Sequence, residues 1–136
     1  MKLLVKDCVN TQIEPLNTHM MLTEAVEKLL DSGLTGLPVI DDQSQLKGFL
    51  SEQDCLQQLL KDSYHCDDLT LVSDLMHKEP LAVDINDSII ELAQTMTGNK
   101  PKVYPVLEDG VLIGIVTRRD IMTALNSELQ NCQKVV

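Results

Sequence analysis

The residues of this chain best suited to chemistry come in two matched tetrads, Ser51-Glu-Gln-Asp54 and Thr117-Arg-Arg-Asp120. A hydroxyl followed three residues later by a carboxylate, at the start of a helix, satisfies amide donors that the first turn leaves unpaired. Capping alone would therefore account for Ser51, Asp54, Thr117 and Asp120. It gives no reason for Arg118 and Arg119, because the positive end of a helix dipole disfavours a first-turn cation by about 0.3 to 1 kcal/mol. Two arginines at a helix start that already favours anions make a phosphate site, which Lys100 and Lys102 could join. The first tetrad carries Glu52 and Gln53 instead. A carboxylate at position 52 would repel phosphate, so the second tetrad is expected to be the better anion site.

The tetrads sit inside a longer repeat. A shift of 67 residues lays Val5 on Val72, Asp7 on Asp74, Glu24 on Glu91 and Pro38 on Pro105. Beyond Pro38 the shift is 66, matching Gly48 to Gly114, Ser51 to Thr117 and Asp54 to Asp120, so one residue is inserted between Asp41 and Gln45. Two copies of a unit too small to bury its own core are expected to stack and share one. At 136 residues the whole fits one compact module. We divide it into a first copy at 1–61, a polar and acidic linker at 62–71 and a second copy at 72–136.

Each copy has the same pattern of elements. Leu22, Ala25, Val26, Leu29 and Leu30 recur at helical spacing, as do Ile89, Leu92, Ala93 and Met96. Ser88 and Glu91 form a capping-box signature before the second of these helices, where the first has Met21. Two short apolar runs follow, Leu37–Ile40 with Leu46–Leu50 and Val103–Leu107 with Val111–Val116, and these predict hairpins. Pro38 and Pro105 lack an amide donor, which places them at a strand start or an edge. A last helix carries Cys55, Leu56, Leu59 and Leu60 in one copy and Ile121, Met122 and Leu125 in the other. Short extended lead-ins, Gln12–Leu16 and Glu79–Asp84, precede each unit. The expected class is α+β: two helix-strand-strand-helix repeats packed as a pseudo-twofold sandwich.

Composition narrows the function. Aromatic residues make up 2% with no Trp, so the core must be aliphatic and Met-rich. The net charge of -10 argues against nucleic acid or an anionic membrane as partner, since both need a basic footprint. Screening over about 8 Å still lets a few local cations hold a small anion. No apolar run approaches the roughly 18 residues of a membrane span, and the start lacks a signal-peptide core; a cytoplasmic location is expected. Cys8, Cys55, Cys66 and Cys132 show no metal or redox spacing and read as reduced thiols. His19, His65 and His77 lie in separate segments without a catalytic motif, so no enzyme, no required cofactor and no metal site is expected. His65-Cys66-Asp67-Asp68 could hold a metal, but an exposed polar linker explains it as well.

These segments resemble a known family, the tandem pair of cystathionine-beta-synthase (CBS) domains, or Bateman module. The resemblance runs from about Leu4 to Leu125. It is carried by Gly36-Leu-Pro-Val-Ile-Asp41 with Gly48-Phe-Leu-Ser-Glu-Gln-Asp54, by Val103-Tyr-Pro-Val-Leu-Glu108 with Gly114-Ile-Val-Thr-Arg-Arg-Asp120, and by Val5-Lys-Asp7 and Val72-Ser-Asp-Leu-Met76. It implies a regulatory module that binds an adenine nucleotide (AMP, ADP, ATP or a related adenosyl ligand) between its repeats and dimerises into a flat disc. Asp120, and by repeat Asp54, would bind the ribose diol, for which a carboxylate is well suited, and Thr117 and Ser51 would contact phosphate. Lys102, Val103, Tyr104 and Pro105 would line the adenine slot of the Thr117–Asp120 site, closed by Pro80, Leu81 and Ala82. Thr35, Gly36, Leu37 and Pro38 would line the weaker Ser51/Asp54 site, closed by Ile13 and Glu14. Val103 and Leu37 could equally be core residues. No effector domain is evident, so a separate, unidentified protein would be regulated. The competing reading is a dimeric interaction scaffold that binds no ligand.

Overall fold

The computed structural model describes residues 3–66 and 69–133. After a 3-10 turn at Val5–Asp7, the first copy runs β1 (Leu16–Asn17), α1 (Leu22–Ser32), β2 (Gly36–Ile40), β3 (Leu46–Ser51) and α2 (Glu52–Ser63). The second runs α3 (Val72–Leu75), β4 (Val83–Asp84), α4 (Ile89–Met96), β5 (Val103–Glu108), β6 (Val111–Thr117) and α5 (Arg118–Gln133). Each copy makes a three-stranded sheet in which a two-residue strand pairs parallel to the first hairpin strand. The mixed α+β class read from the periodicity is present. No helix among the described residues is long and apolar enough to cross a membrane.

Local chemistry explains the element boundaries. α1 turns Leu22, Ala25 and Leu29 inward and stops at Gly33, whose φ of 70° is a left-handed conformation that glycine adopts without steric cost. α4 begins at Ser88, whose side chain accepts from the Glu91 amide, as the capping signature requires. The prolines differ from expectation: Pro38 and Pro105 lie within the central strand of each sheet, opposite Phe49 and Ile115. Their missing donors cost nothing, because β1 pairs only from Val39 onward and β4 only from Val106. Each proline thus sits in a central strand but beyond the reach of its short neighbour.

The expectation of one shared core is also corrected. Two clusters form on the helix-covered faces of the two sheets, and each is completed by the opposite copy. Val72, from the second copy, is buried with Leu22, Leu37, Leu50 and Cys55. Val5, from the first, is buried with Ile89, Tyr104, Val116 and Ile121. The chain before each repeat crosses over and adds to the other sheet. Asn10 exchanges backbone hydrogen bonds with Ile115 (2.8 and 3.0 Å), and His77 does the same with Phe49 (2.9 and 3.0 Å). The Val5 amide donates to the Asp87 carbonyl, and the Val72 amide to the Met20 carbonyl. The linker is pinned at its base, where Asp62 accepts from Thr70 and Gln58; Asp67 and Asp68 lie outside the described residues.

Glycine makes the crossing possible. A methyl group on Gly48 would fall 2.6 Å from the His77 carbonyl oxygen, and one on Gly114 would collide with the Asn10 carbonyl. Since interiors do not absorb such overlap, Gly48→Ala and Gly114→Ala should each lower unfolding stability by about 1 to 3 kcal/mol. Urea denaturation checks this, with Gly98→Ala, which has open space around it, as the unaffected control.

Candidate functional site

Both tetrads are built as caps at a strand-to-helix junction. Where β3 meets α2, the Ser51 hydroxyl donates to Asp54 Oδ2 (2.8 Å) and accepts from the Asp54 amide (3.2 Å). Where β6 meets α5, the Thr117 amide and hydroxyl both donate to Asp120 Oδ2 (2.8 and 2.9 Å), and the Asp120 amide returns a bond to the hydroxyl (3.2 Å). The first amide of each helix is taken as well: Glu52 donates to the Thr35 carbonyl (2.8 Å) and Arg118 to the Lys102 carbonyl (3.0 Å). Two of the first three amides of each helix are therefore engaged. An anion here has to rely on side chains more than on the helix terminus.

The cationic side chains are not equivalent. Arg118 turns back along the strand start, its Nη2 reaching the Lys100 carbonyl at 3.5 Å. Its Nε and the Tyr104 hydroxyl are both buried without a hydrogen-bond partner among the described residues. Burial pushes the Tyr104 phenol above its ordinary pKa, and the nearby Arg118 guanidinium pulls it part of the way back. Arg119, Lys100 and Lys102 are exposed. Glu52, expected to burden the first tetrad's cleft, instead borders with Gln53 a groove of about 590 Å³ between α1 and α2.

The expected walls separate by strand alternation. Leu37 and Tyr104 belong to the two cores, on the helix side of their sheets, although Tyr104 also borders a hollow with Leu81 and Ala82. Val103 instead lines a cavity of about 240 Å³ with Pro80, Leu81, Pro101, Phe49, His77 and Glu79. Ala82 is absent from that cavity and borders a hollow beside α4 together with Tyr104. Pro38, Pro105 and Gly36 are buried and Ile13 is half-buried, while Thr35 is exposed beside the α2 start.

One grouping is corrected in part. Val103 does lie beside Thr117, its partner across β5 and β6, but the cavity it lines with Pro80 and Leu81 also takes in His77, whose Nε2 lies 3.3 Å from Asp54 Oδ2. Asp120 lies instead near Cys8, ahead of the first lead-in. Burial first, and then the charges of Asp120 and Asp7, push the Cys8 thiol up to about 11. The reason is the crossover: Asn10 and His77, just ahead of the lead-ins, bond to the opposite copy's sheet, while β1 and β4 pair within their own. Phe49 and His77 were missed in the sequence, where only their places opposite Ile115 and Asn10 in the repeat could have pointed to them. No group of three or more His, Cys, Asp or Glu able to hold a metal occurs among the described residues.

Comparison with known proteins decides the family. The CBS domain model matches twice, at residues 5–61 and 72–127. The chain belongs to the CBS domain family. Its architecture matches a crystal structure of CBSX2 in complex with AMP, with a TM-score of 0.78, 30% identity, and coverage of 91% of this chain and 96% of that one; CBSX2 is a CBS-pair protein from Arabidopsis thaliana. Among curated relatives, an A-adding tRNA nucleotidyltransferase of Aquifex aeolicus is 30% identical over 95% of this chain. An uncharacterized protein of Methanocaldococcus jannaschii is 25% identical over 91% of it. This CBS pair spans only 15% and 43% of those two relatives.

The regrouping has a chemical readout in this CBS pair. Removing the charge of Asp120 lowers the Cys8 pKa and raises its thiolate fraction. Asp120→Asn should therefore speed alkylation of Cys8 at pH 8.5 by roughly two- to fivefold. Asp54→Asn should leave Cys8 unchanged. Iodoacetamide labelling followed by peptide mass spectrometry separates the two.

Proposed function

We propose that this CBS pair is a regulatory module that binds an adenine nucleotide in the clefts between its copies and signals to a separate protein by a shift in their relative arrangement. The observation that carries the reading is the Asp120 carboxylate. Both bonds it accepts among the described residues reach Oδ2, which leaves Oδ1 for a ribose diol. Thr117 stands beside it, with Arg118, Arg119 and Lys102 as the cations for phosphate. In the repeat, Ile13 and Gly36 answer to Pro80 and Val103, which line the cavity beside His77, and we assign them by that equivalence to the wall of this cleft. The CBSX2 crystal structure with AMP supports the choice of ligand.

The signalling step follows from having two cores. A ligand held between two sheets favours the arrangement in which both walls touch it, and a partner that reads that arrangement completes the coupling. The module also exposes apolar residues at equivalent places on α2 and α5, Leu56 at 68% and Met122 at 66%. We place the homodimer contact on these helix faces.

A second reading has an observation of its own. The caps at Ser51 and Thr117 are complete without a ligand, as a scaffold that only docks on proteins would require. Calorimetry separates the two. Wild-type protein should bind AMP; Asp120→Asn should weaken binding at least about tenfold, since a hydrogen bond to a charged group is worth about 1.5 to 3 kcal/mol; Asp54→Asn should change it much less. AMP at 100 times its dissociation constant should add about 2.7 kcal/mol of stability. A flat melting response to millimolar nucleotides would establish the scaffold instead.

A further inference from the structure

We propose that the two clefts divide their ligands by charge, the Asp54 cleft taking a nucleoside without phosphate, neutral or cationic at its 5′ end, and the Asp120 cleft taking the phosphorylated form. The inference rests on reading both clefts as adenosyl sites, and it gives the Asp54 cleft a ligand class of its own.

The cavity beside Asp54 has the shape and chemistry for this. Phe49, Pro80, Leu81, Pro101 and Val103 give it apolar walls suited to a flat base. Its volume of about 240 Å³ is below the roughly 300 to 1,000 Å³ usual for larger ligands, which favours a nucleoside over one extended by phosphates. Its polar groups are His77 and Glu79, with the Asp54 carboxylate 3.3 Å from His77 Nε2. Asp54 is thus placed to take a diol, either sharing it with the imidazole or displacing it.

What is missing from the lining of this cleft is a permanent cation to hold a phosphate. No lysine or arginine is among the described residues that line it. The amides of Glu52 and Asp54 are already bound to the Thr35 carbonyl and the Ser51 hydroxyl. The differences between the copies point the same way. Glu79 answers to Gln12 in the repeat, and Glu52 and Gln53 answer to Arg118 and Arg119. A 5′ phosphate at Asp54 would therefore meet the carboxylates of Asp54 and Glu79 with no lysine or arginine in the cavity lining to offset them, whereas an amine or other cation would be attracted. At Asp120 the same substitutions supply two arginines and remove an acid.

The test uses Asp120→Asn to isolate the Asp54 cleft, with calorimetric titration of adenosine, 5′-amino-5′-deoxyadenosine and AMP. Adenosine and its amino derivative should each bind at least tenfold more tightly than AMP. Adding Glu79→Gln should narrow the gap between the amine and AMP at least threefold, and adding Asp54→Asn should abolish adenosine binding. Circular dichroism melts confirm that each variant is folded. Equal or tighter binding of AMP by Asp120→Asn overturns the proposal, as does an absence of adenosine binding or adenosine binding that survives loss of both acids. Failure of the nucleotide reading is seen separately, as wild-type protein that binds no AMP.

Discussion

The structure depends on a reciprocal crossing of backbone. The segment before each repeat pairs with the far sheet, through Asn10 on Ile115 and His77 on Phe49. Both contacts run past a glycine where a side chain would collide. A backbone group buried without a partner costs about as much as a lost hydrogen bond, so these exchanges fix how closely the two halves approach. The crossing delivers Val5 and Val72 to the opposite cores, and it brings His77 to Asp54 and Cys8 near Asp120. Core and cleft are therefore set by the same few hydrogen bonds.

The helix caps carry a second constraint. Ser51 and Thr117 spend their hydroxyls on the acids that follow, and neighbouring carbonyls take the first amides. A helix start that looks in sequence like an open anion site is already largely satisfied. Differences between the clefts must then come from side chains, and the copies differ most at those positions. Arg118, bent toward Lys100 and packed near Tyr104, is the side chain with the most to rearrange if an anion arrives.

Much of this was legible in the residues. Helical spacing at Leu22, Ala25 and Leu29, the turns between strands and the hydroxyl-to-acid tetrads all report on their own neighbourhoods, and each appears where its pattern puts it. What could not be read was anything decided by a distant segment. Pro38 looks like an edge residue until the two-residue length of β1 is known. Leu37 and Val103 are interchangeable apolar residues until strand alternation sends one to a core and the other to a cleft. Asn10 and His77 stand beside their own copies in sequence, while hydrogen bonding carries each to the sheet of the other. Repetition identifies equivalent parts, but it is silent on which equivalent part each one touches.

The exchange of segments through Asn10 and His77 also has a symmetry. A single copy that lends such a segment to a neighbour and receives one in return describes a twofold dimer of one-repeat chains, an isologous arrangement that closes on itself. In this protein both copies belong to one chain, so an association between molecules is replaced by one within a molecule. Two copies in one chain need not be identical. Once the partner is guaranteed by the shared chain, Asn10 and His77, or Gln12 and Glu79, can diverge at equivalent places without either half losing the segment that completes its core.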